Sequence, residues 1–250
     1  MHKKIFICFT CSRDLPLLEA QYAAIMRHDS SAVVYYVFES DDNAQGPVGS
    51  RVVTAGFSHN GNLIGLECHY GMLTCMKQLS EKHDQCDVVK IDADCYYIND
   101  YPGEYDLVGT APGNGYYCKG CSYKISYQCI CKVIEYLKNG YVDASGRCED
   151  HIITMISAII SEPNRVKILN AYDLDENNQV TDVNSCIFQR GYYNNPEPLE
   201  KVRYWIDCGD SKYLNDYKES NLQVPLAKAR ALEFILNFFS KMHQNSTELR

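Results

Sequence analysis

No apolar stretch of the chain comes near the ~20 residues that a membrane-crossing helix requires. The longest, Ile152–Ile160, is broken by Thr154 and Ser157, so no integral membrane segment is expected. The amino-terminal run Ile5–Phe9 is too short for a secretory signal, and a cytoplasmic protein is the expectation. Basic charge is in deficit: 24 Lys and Arg face 32 Asp and Glu, a formal net charge of −8. That balance removes a broad electropositive face for nucleic acid or anionic lipid and leaves room only for a local basic pocket. After the first strand, Thr10-Cys11-Ser12-Arg13 carries neither the glycine fingerprint of a dinucleotide fold nor a phosphate-cradling loop. A G-x-S-x-G turn is missing too, so hydride transfer, nucleoside triphosphate hydrolysis and the commonest serine-hydrolase chemistry lose support. There is no internal repeat, low-complexity tract or linker, and 250 residues with 46% apolar side chains fit one domain spanning 1–250.

Cysteine, by contrast, is abundant, with thirteen in the chain. An odd count in a chain able to bury its own core is not the disulfide framework of a small secreted module. In a reducing compartment such thiols act as small apolar side chains. Another use stays open: Cys118-Lys119-Gly120-Cys121 is a C-x-x-C with Cys129 and Cys131 close behind, a spacing compatible with a zinc site or a redox pair.

Periodicity predicts strands at Ile5–Phe9, Ala32–Phe38 and Asp87–Ile91, separated by helices over Asp14–Met26 and Gly65–Leu79. This alternation argues for an α/β fold with a mostly parallel central sheet and helices on both faces. Further along, Asp106–Gly109 reads as extended, Tyr123–Leu137 as a helix stopped by Asn139-Gly140, and Asp150–Ile160 as a buried helix. Val166–Asn170 and Val183–Phe188 read as strands, Tyr172–Asp182 as a surface loop, and the chain after Pro225 as a closing amphipathic helix.

The densest chemistry lies in Lys90-Ile91-Asp92-Ala93-Asp94, where an apolar strand ends in two carboxylates at i and i+2. Both leave the C-terminal edge of the sheet, where open α/β sheets bind ligands. Two carboxylates can anchor a hard divalent cation that keeps positions open for water and diphosphate oxygens. A solvated turn or a helix cap accounts for the same pair. Lys90 is expected to point away from Asp92 and receives no role. Glu149 and Asp150 stand at a helix start, where the dipole favours carboxylates; being adjacent, they do not share a helix face. The loop Tyr116–Ser126 combines glycines with Tyr116, Tyr117 and Tyr123, and aromatic faces between small residues suit the C–H surface of a sugar.

The segment K-x-D-x-D-x-x-x-x-N resembles the corresponding stretch of metal-dependent nucleotide-sugar glycosyltransferases of the GT-A fold, of the β1,3-galactosyltransferase and fringe type. Gly120-Cys121-Ser122-Tyr123-Lys124-Ile125-Ser126 is similar to that family's G-x-G-Y-x-x-S stretch, and Glu149-Asp150-His151 to its E-D-V, in the same order. The resemblance implies a GT-A-like domain whose residues 1–110 bind the donor and whose residues 111–250 form the acceptor side. It implies transfer of a sugar from a UDP-sugar to a hydroxyl of a glycan, lipid or protein, with inversion. Asp150 would be the base, and Glu149 would orient acceptor hydroxyls or hold the turn. A Mn²⁺ or Mg²⁺ ion would sit on Asp94 and Asp92, with Gln189 as a further ligand. Thr10, Arg13, Glu39, Asp41, Asp92 and Arg190 would contact the donor, and Gly120, Cys121, Ser122 and Tyr123 the sugar or acceptor. The chain departs from the family in having Ala93 where an aspartate is usual, His151 in place of an apolar residue, and Gln189 where many members of the fold place a histidine. A non-catalytic nucleotide- or glycan-binding member of the same fold is the alternative, and a cysteine-based zinc or thiol protein the third.

Overall fold

A computed structural model describes residues 4–39, 45–57, 65–97, 99–111, 117–118, 120–142, 148–170, 173–174, 180–182 and 187–189. Along the chain come β1 (Lys4–Thr10), a single 3-10 turn (Ser12–Asp14), α1 (Leu15–His28), β2 (Val33–Phe38), β3 (Arg51–Thr54), α2 (Leu66–Glu81), β4 (Asp87–Ile91) and β5 (Cys95–Tyr97). They are followed by β6 (Leu107–Ala111), β7 (Ser122–Ile125), α3 (Tyr127–Lys138), α4 (Glu149–Ile160), β8 (Val166–Asn170), β9 (Asp173–Leu174), β10 (Val180–Asp182) and β11 (Ile187–Gln189).

Seven strands form one sheet in the order β3-β2-β1-β4-β7-β6-β8. All its pairings are parallel except those of β7, which runs against both β4 and β6. The protein is therefore α/β with a mostly parallel, mixed sheet. From β1 the chain moves outward through β2 to β3, and α2 returns it to the other side of β1 as β4. The winding thus reverses between β1 and β4, which opens a crevice at their C-terminal ends. The segments leaving those two ends are Thr10–Asp14 and Asp92–Asp94.

Alternation along the strands divides the core in two. Ile5, Ile7, Tyr35, Val37, Val88, Leu107, Tyr123 and Ile125 face α2, α3 and α4. Phe6, Cys8, Val34, Tyr36, Phe38, Val89, Ile91 and Val108 face Leu18 and Ile25 of α1, with Cys95 and Tyr97 of β5. A strand buried on both faces reads as a continuous apolar run, which is why β1, β2 and β4 are recognisable in the sequence. Among the described residues, no helix is long and apolar enough to cross a membrane.

Two expectations need correction, and a third is met over the described residues. The segment read as one helix from Tyr123 is strand β7 followed by α3, and Ser126 divides them. Its backbone is extended, and its side chain accepts from the Cys129 N–H at the start of α3, the geometry of an N-cap. The stretch Tyr172–Asp182, read as a loop, contains the paired strands β9 and β10. Within the run read as a strand from Val183, the strand described is β11, and it pairs antiparallel with β5. Residues 183–186 and the closing helix after Pro225 lie outside the described residues. Strands β3 and β5 carry too short a signal to be read from the sequence: the first is an exposed edge and the second only three residues long.

Gly109 sits where β6 passes behind the loop that enters β7. A Cβ at this position would stand 2.7 Å from Cys118 Cβ and 3.1 Å from Tyr123 Cβ. Neither neighbour is the tip of a flexible side chain, so Gly109→Ala is expected to cost ~1–3 kcal/mol in urea unfolding. Gly56→Ala, which would meet nothing within 4 Å, should stay within ~0.5 kcal/mol of the parent.

Candidate functional site

Beyond Ile91 the chain turns back at once. Cys95 N–H donates to Asp92 O at 3.0 Å, and Asp92 N–H donates to Cys121 O at 2.8 Å. From α1, the buried Gln21 Nε2 donates to Asp92 O at 2.5 Å and to Cys95 O at 3.2 Å. The turn is therefore tied to both β7 and α1. At its centre the Ala93 side chain is buried in the α1-side core, so an aspartate there would drive a carboxylate into apolar packing. The two flanking acids stay reachable: the Asp92 side chain is 38% exposed and Asp94 is half-buried, its Oδ1 3.4 Å from Cys95 Sγ. Cys95 and Cys121 are free, buried thiols of the α1-side core beside this turn.

Lys90 does not point away from Asp92, contrary to the expectation. Residues two apart on a strand share a face, and Lys90 lies with Val88 on the α4 side. Its ammonium donates to Asp92 Oδ1 at 2.5 Å, to Glu149 Oε1 at 3.1 Å and to Gly120 O. The side chain is 1% exposed, and the Tyr123 ring centre lies 6.0 Å from Nζ. The three segments that the sequence marks separately therefore meet on one atom.

Glu149 and Asp150 open α4, and successive helix positions diverge by ~100°. Glu149 goes inward to Lys90, whereas Asp150 turns toward the loop, its Oδ2 accepting Gly120 N–H at 3.0 Å and its Oδ1 the His151 N–H at 2.7 Å. A Cβ at Gly120 would stand 2.8 Å from Glu149 Oε1 and 3.1 Å from Asp150 Oδ2, so a side chain here would push against both carboxylates. Just beyond, the His151 ring meets Tyr117 edge-on, centres 4.2 Å apart.

Burial governs the electrostatics. It raises the Glu149 carboxyl from 4.5 to about 7, with Lys90 opposing and Asp150 and Asp92 adding to the shift. It also disfavours the charged form of Lys90, but Asp92 and Glu149 outweigh that and hold the ammonium protonated. Among the described residues, the Lys90 ammonium thus stands among the carboxyl groups of Asp92, Asp94, Glu149 and Asp150 at this sheet edge. Among the described residues no three His, Cys, Asp or Glu side chains form a ready ligand set. A cation here would rest on oxygens of Asp92 and Asp94, the hard donors that Mg²⁺ and Mn²⁺ take. The register pairs Gln189 with Cys95, which puts its backbone beside the turn.

The remaining predicted residues are placed as follows. Thr10 is buried at the end of β1, its hydroxyl 3.3 Å from Asp14 Oδ2. Arg13 is exposed, with Nε 3.6 Å from Asp14 Oδ1. Glu39 follows β2 and is half-buried. Ser122 accepts a hydrogen bond from Tyr101 at 2.9 Å and, like Tyr123, is wholly buried, so both support the loop from beneath. Asp41, Arg190 and Tyr116 lie outside the described residues. Cys118 and Cys121 belong to opposite cores, which separates the two ends of the C-x-x-C. A groove of about 640 Å³ between β3 and α2 contains none of the predicted residues.

Glu149 yields a pH prediction. Its folded-state value lies above its ordinary one, so the folded protein binds this proton more tightly than the unfolded chain does. Stability from this group is therefore complete below pH 4.5, declines as pH rises toward about 7, and is level above that. Urea midpoints of the parent should fall across this window relative to Glu149→Gln; parallel profiles would contradict the assignment. Compared with protein-family models and with curated proteins, the chain matches none.

Proposed function

We propose that this protein is a metal-dependent glycosyltransferase of the GT-A fold, moving a sugar from a UDP-sugar to a hydroxyl acceptor with inversion. The observation that carries this reading is the convergence of the three motif segments, Lys90 to Asp94, Gly120 to Ser126 and Glu149-Asp150, at the C-terminal edge of β4. That edge borders the β1/β4 crevice, the position where an open α/β sheet takes a nucleotide.

In this reading the donor lies along the crevice with its diphosphate toward the Asp92–Asp94 turn. A Mn²⁺ or Mg²⁺ ion on Asp94 and Asp92 would supply the positive charge that the leaving diphosphate needs. Asp150, half-buried at the mouth of α4, accepts the acceptor's hydroxyl proton as the oxygen attacks the anomeric carbon and the bond to diphosphate breaks. Each of its oxygens accepts one backbone N–H, which fixes the carboxylate plane and leaves lone pairs for that proton. Glu149 is turned inward to Lys90 and holds the turn rather than the acceptor.

A non-catalytic binder is the second reading, favoured by the sequence departures from the resembled family, Ala93 for an aspartate and Gln189 for a histidine. One set of measurements separates the two. The parent should gain thermal stability from UDP or a UDP-sugar only when Mn²⁺ is present, and Asp94→Ala should abolish that gain. Asp150→Asn should keep the gain and lose ~10²–10⁴-fold in transfer rate. Binding with no transfer or donor hydrolysis in the parent would select the binder. Nucleotide stabilisation undiminished in Asp94→Ala, or transfer undiminished in Asp150→Asn, would remove the glycosyltransferase assignment.

A further inference from the structure

We propose that Lys90 is the positioning residue of this site: one buried ammonium sets both the free oxygen of Asp92 and the orientation of Asp150. The catalytic part of this inference rests on the glycosyltransferase reading; the positioning part stands on the geometry alone.

An ammonium has three N–H donors and no acceptor. At Lys90 the acceptors also number three, Asp92 Oδ1, Gly120 O and Glu149 Oε1, each from a different segment of the chain. A carboxylate neutralised by a surface lysine could adopt many poses. Here the cation is sealed, and its partners are fixed by strand, loop and helix. On the donor side, binding Oδ1 directs Asp92 so that Oδ2 is the oxygen left for another cation. On the acceptor side the connection runs through one residue: Gly120 gives its carbonyl to Lys90 and its N–H to Asp150 Oδ2. A shift of Gly120 therefore turns the proposed base. The absent side chain at Gly120 lets Glu149 and Asp150 close on it, so the loop has little slack to absorb such a shift.

Charge neutralisation and positioning can be told apart. Lys90→Met alone strands Asp92 and Glu149 and will be destabilised by the uncompensated buried charge. Lys90→Met combined with Glu149→Gln relieves that charge, and its urea midpoint should return toward the parent's. Even so, amide exchange at Gly120 should accelerate ~10-fold or more while the middle of α4 remains protected. Under the glycosyltransferase reading, transfer by the double variant should fall ~100-fold in kcat, as expected when a reacting group is misplaced, and donor KM should rise as the Asp92 carboxylate loses its fixed pose. Parent-like exchange at Gly120 in a folded double variant would overturn the proposal, whatever the activity. If the parent turns out to have no transferase activity, that removes the functional reading, and the exchange result still decides the positioning one. Should the double variant not fold, the parent carries the test: its Lys90 side-chain ammonium should give a slowly exchanging ¹⁵N-attached proton signal at neutral pH. A signal averaged with water would sink the inference.

Discussion

Burying an ammonium is among the most expensive things a fold can do, and it is tolerated only when every donor is matched. Lys90 is such a group, and its demands reach across the architecture. Its acceptors come from the end of β4, from the loop entering β7 and from the first turn of α4. Those three segments have to arrive together. The direction of β7 makes this possible: because it runs against β4, its first residue Ser122 pairs with Ile91, the last residue of β4. Gly120 and Cys121 consequently lie beside Asp92. A parallel strand in the same place would begin at the opposite edge of the sheet, some five residues or ~17 Å away, and Gly120 could not reach Lys90.

The same constraint explains the composition of the surrounding turns. Two acids at the start of a helix would ordinarily be read as solvated partners of its dipole. Of the two acids only Asp150 keeps some access to water, whereas Glu149 is drawn into the core by Lys90. Room for both is made by removing a side chain at Gly120. On the other side of the turn, Ala93 is small because its neighbours are apolar, and Gln21 fastens the backbone on either side of it. The backbone of the turn between Asp92 and Asp94 is thus held by interactions that use neither carboxylate.

What the sequence discloses follows from which of these forces act locally. Central strands buried on two faces announce themselves as apolar runs, and α2 and α4 by their spacing, so β1, β2, β4 and both helices are legible. Strand β7 is not, because Tyr123 and Ile125 alternate with Ser122 and Lys124 over only four residues before Ser126 starts a helix of matching hydrophobicity. The acids of the site stand out as motifs, and the residue that joins them is placed by alternation: Lys90 shares its face with Asp92 by the rule that relates Asp92 to Asp94. Gln21 gave no signal either. A glutamine in an amphipathic helix reads as surface, and only the carbonyls of a distant turn make it a buried donor.

The charge balance acquires a local meaning from this geometry. Lys90 is already engaged by two carboxylates, so its charge is not available to an incoming anion. Asp94 and Asp150 remain beside the crevice, and each unit of like charge within a few ångströms of a diphosphate costs on the order of 1–4 kcal/mol at the dielectric of a protein surface. In the proposed reading a multivalent cation between the diphosphate and the aspartates would offset that cost, and the oxygen donors present are the kind that hold Mg²⁺ or Mn²⁺ without displacing all of its water. Metal dependence therefore belongs with the proposed chemistry: among the described residues the buried ammonium at this site, that of Lys90, is already committed to structure.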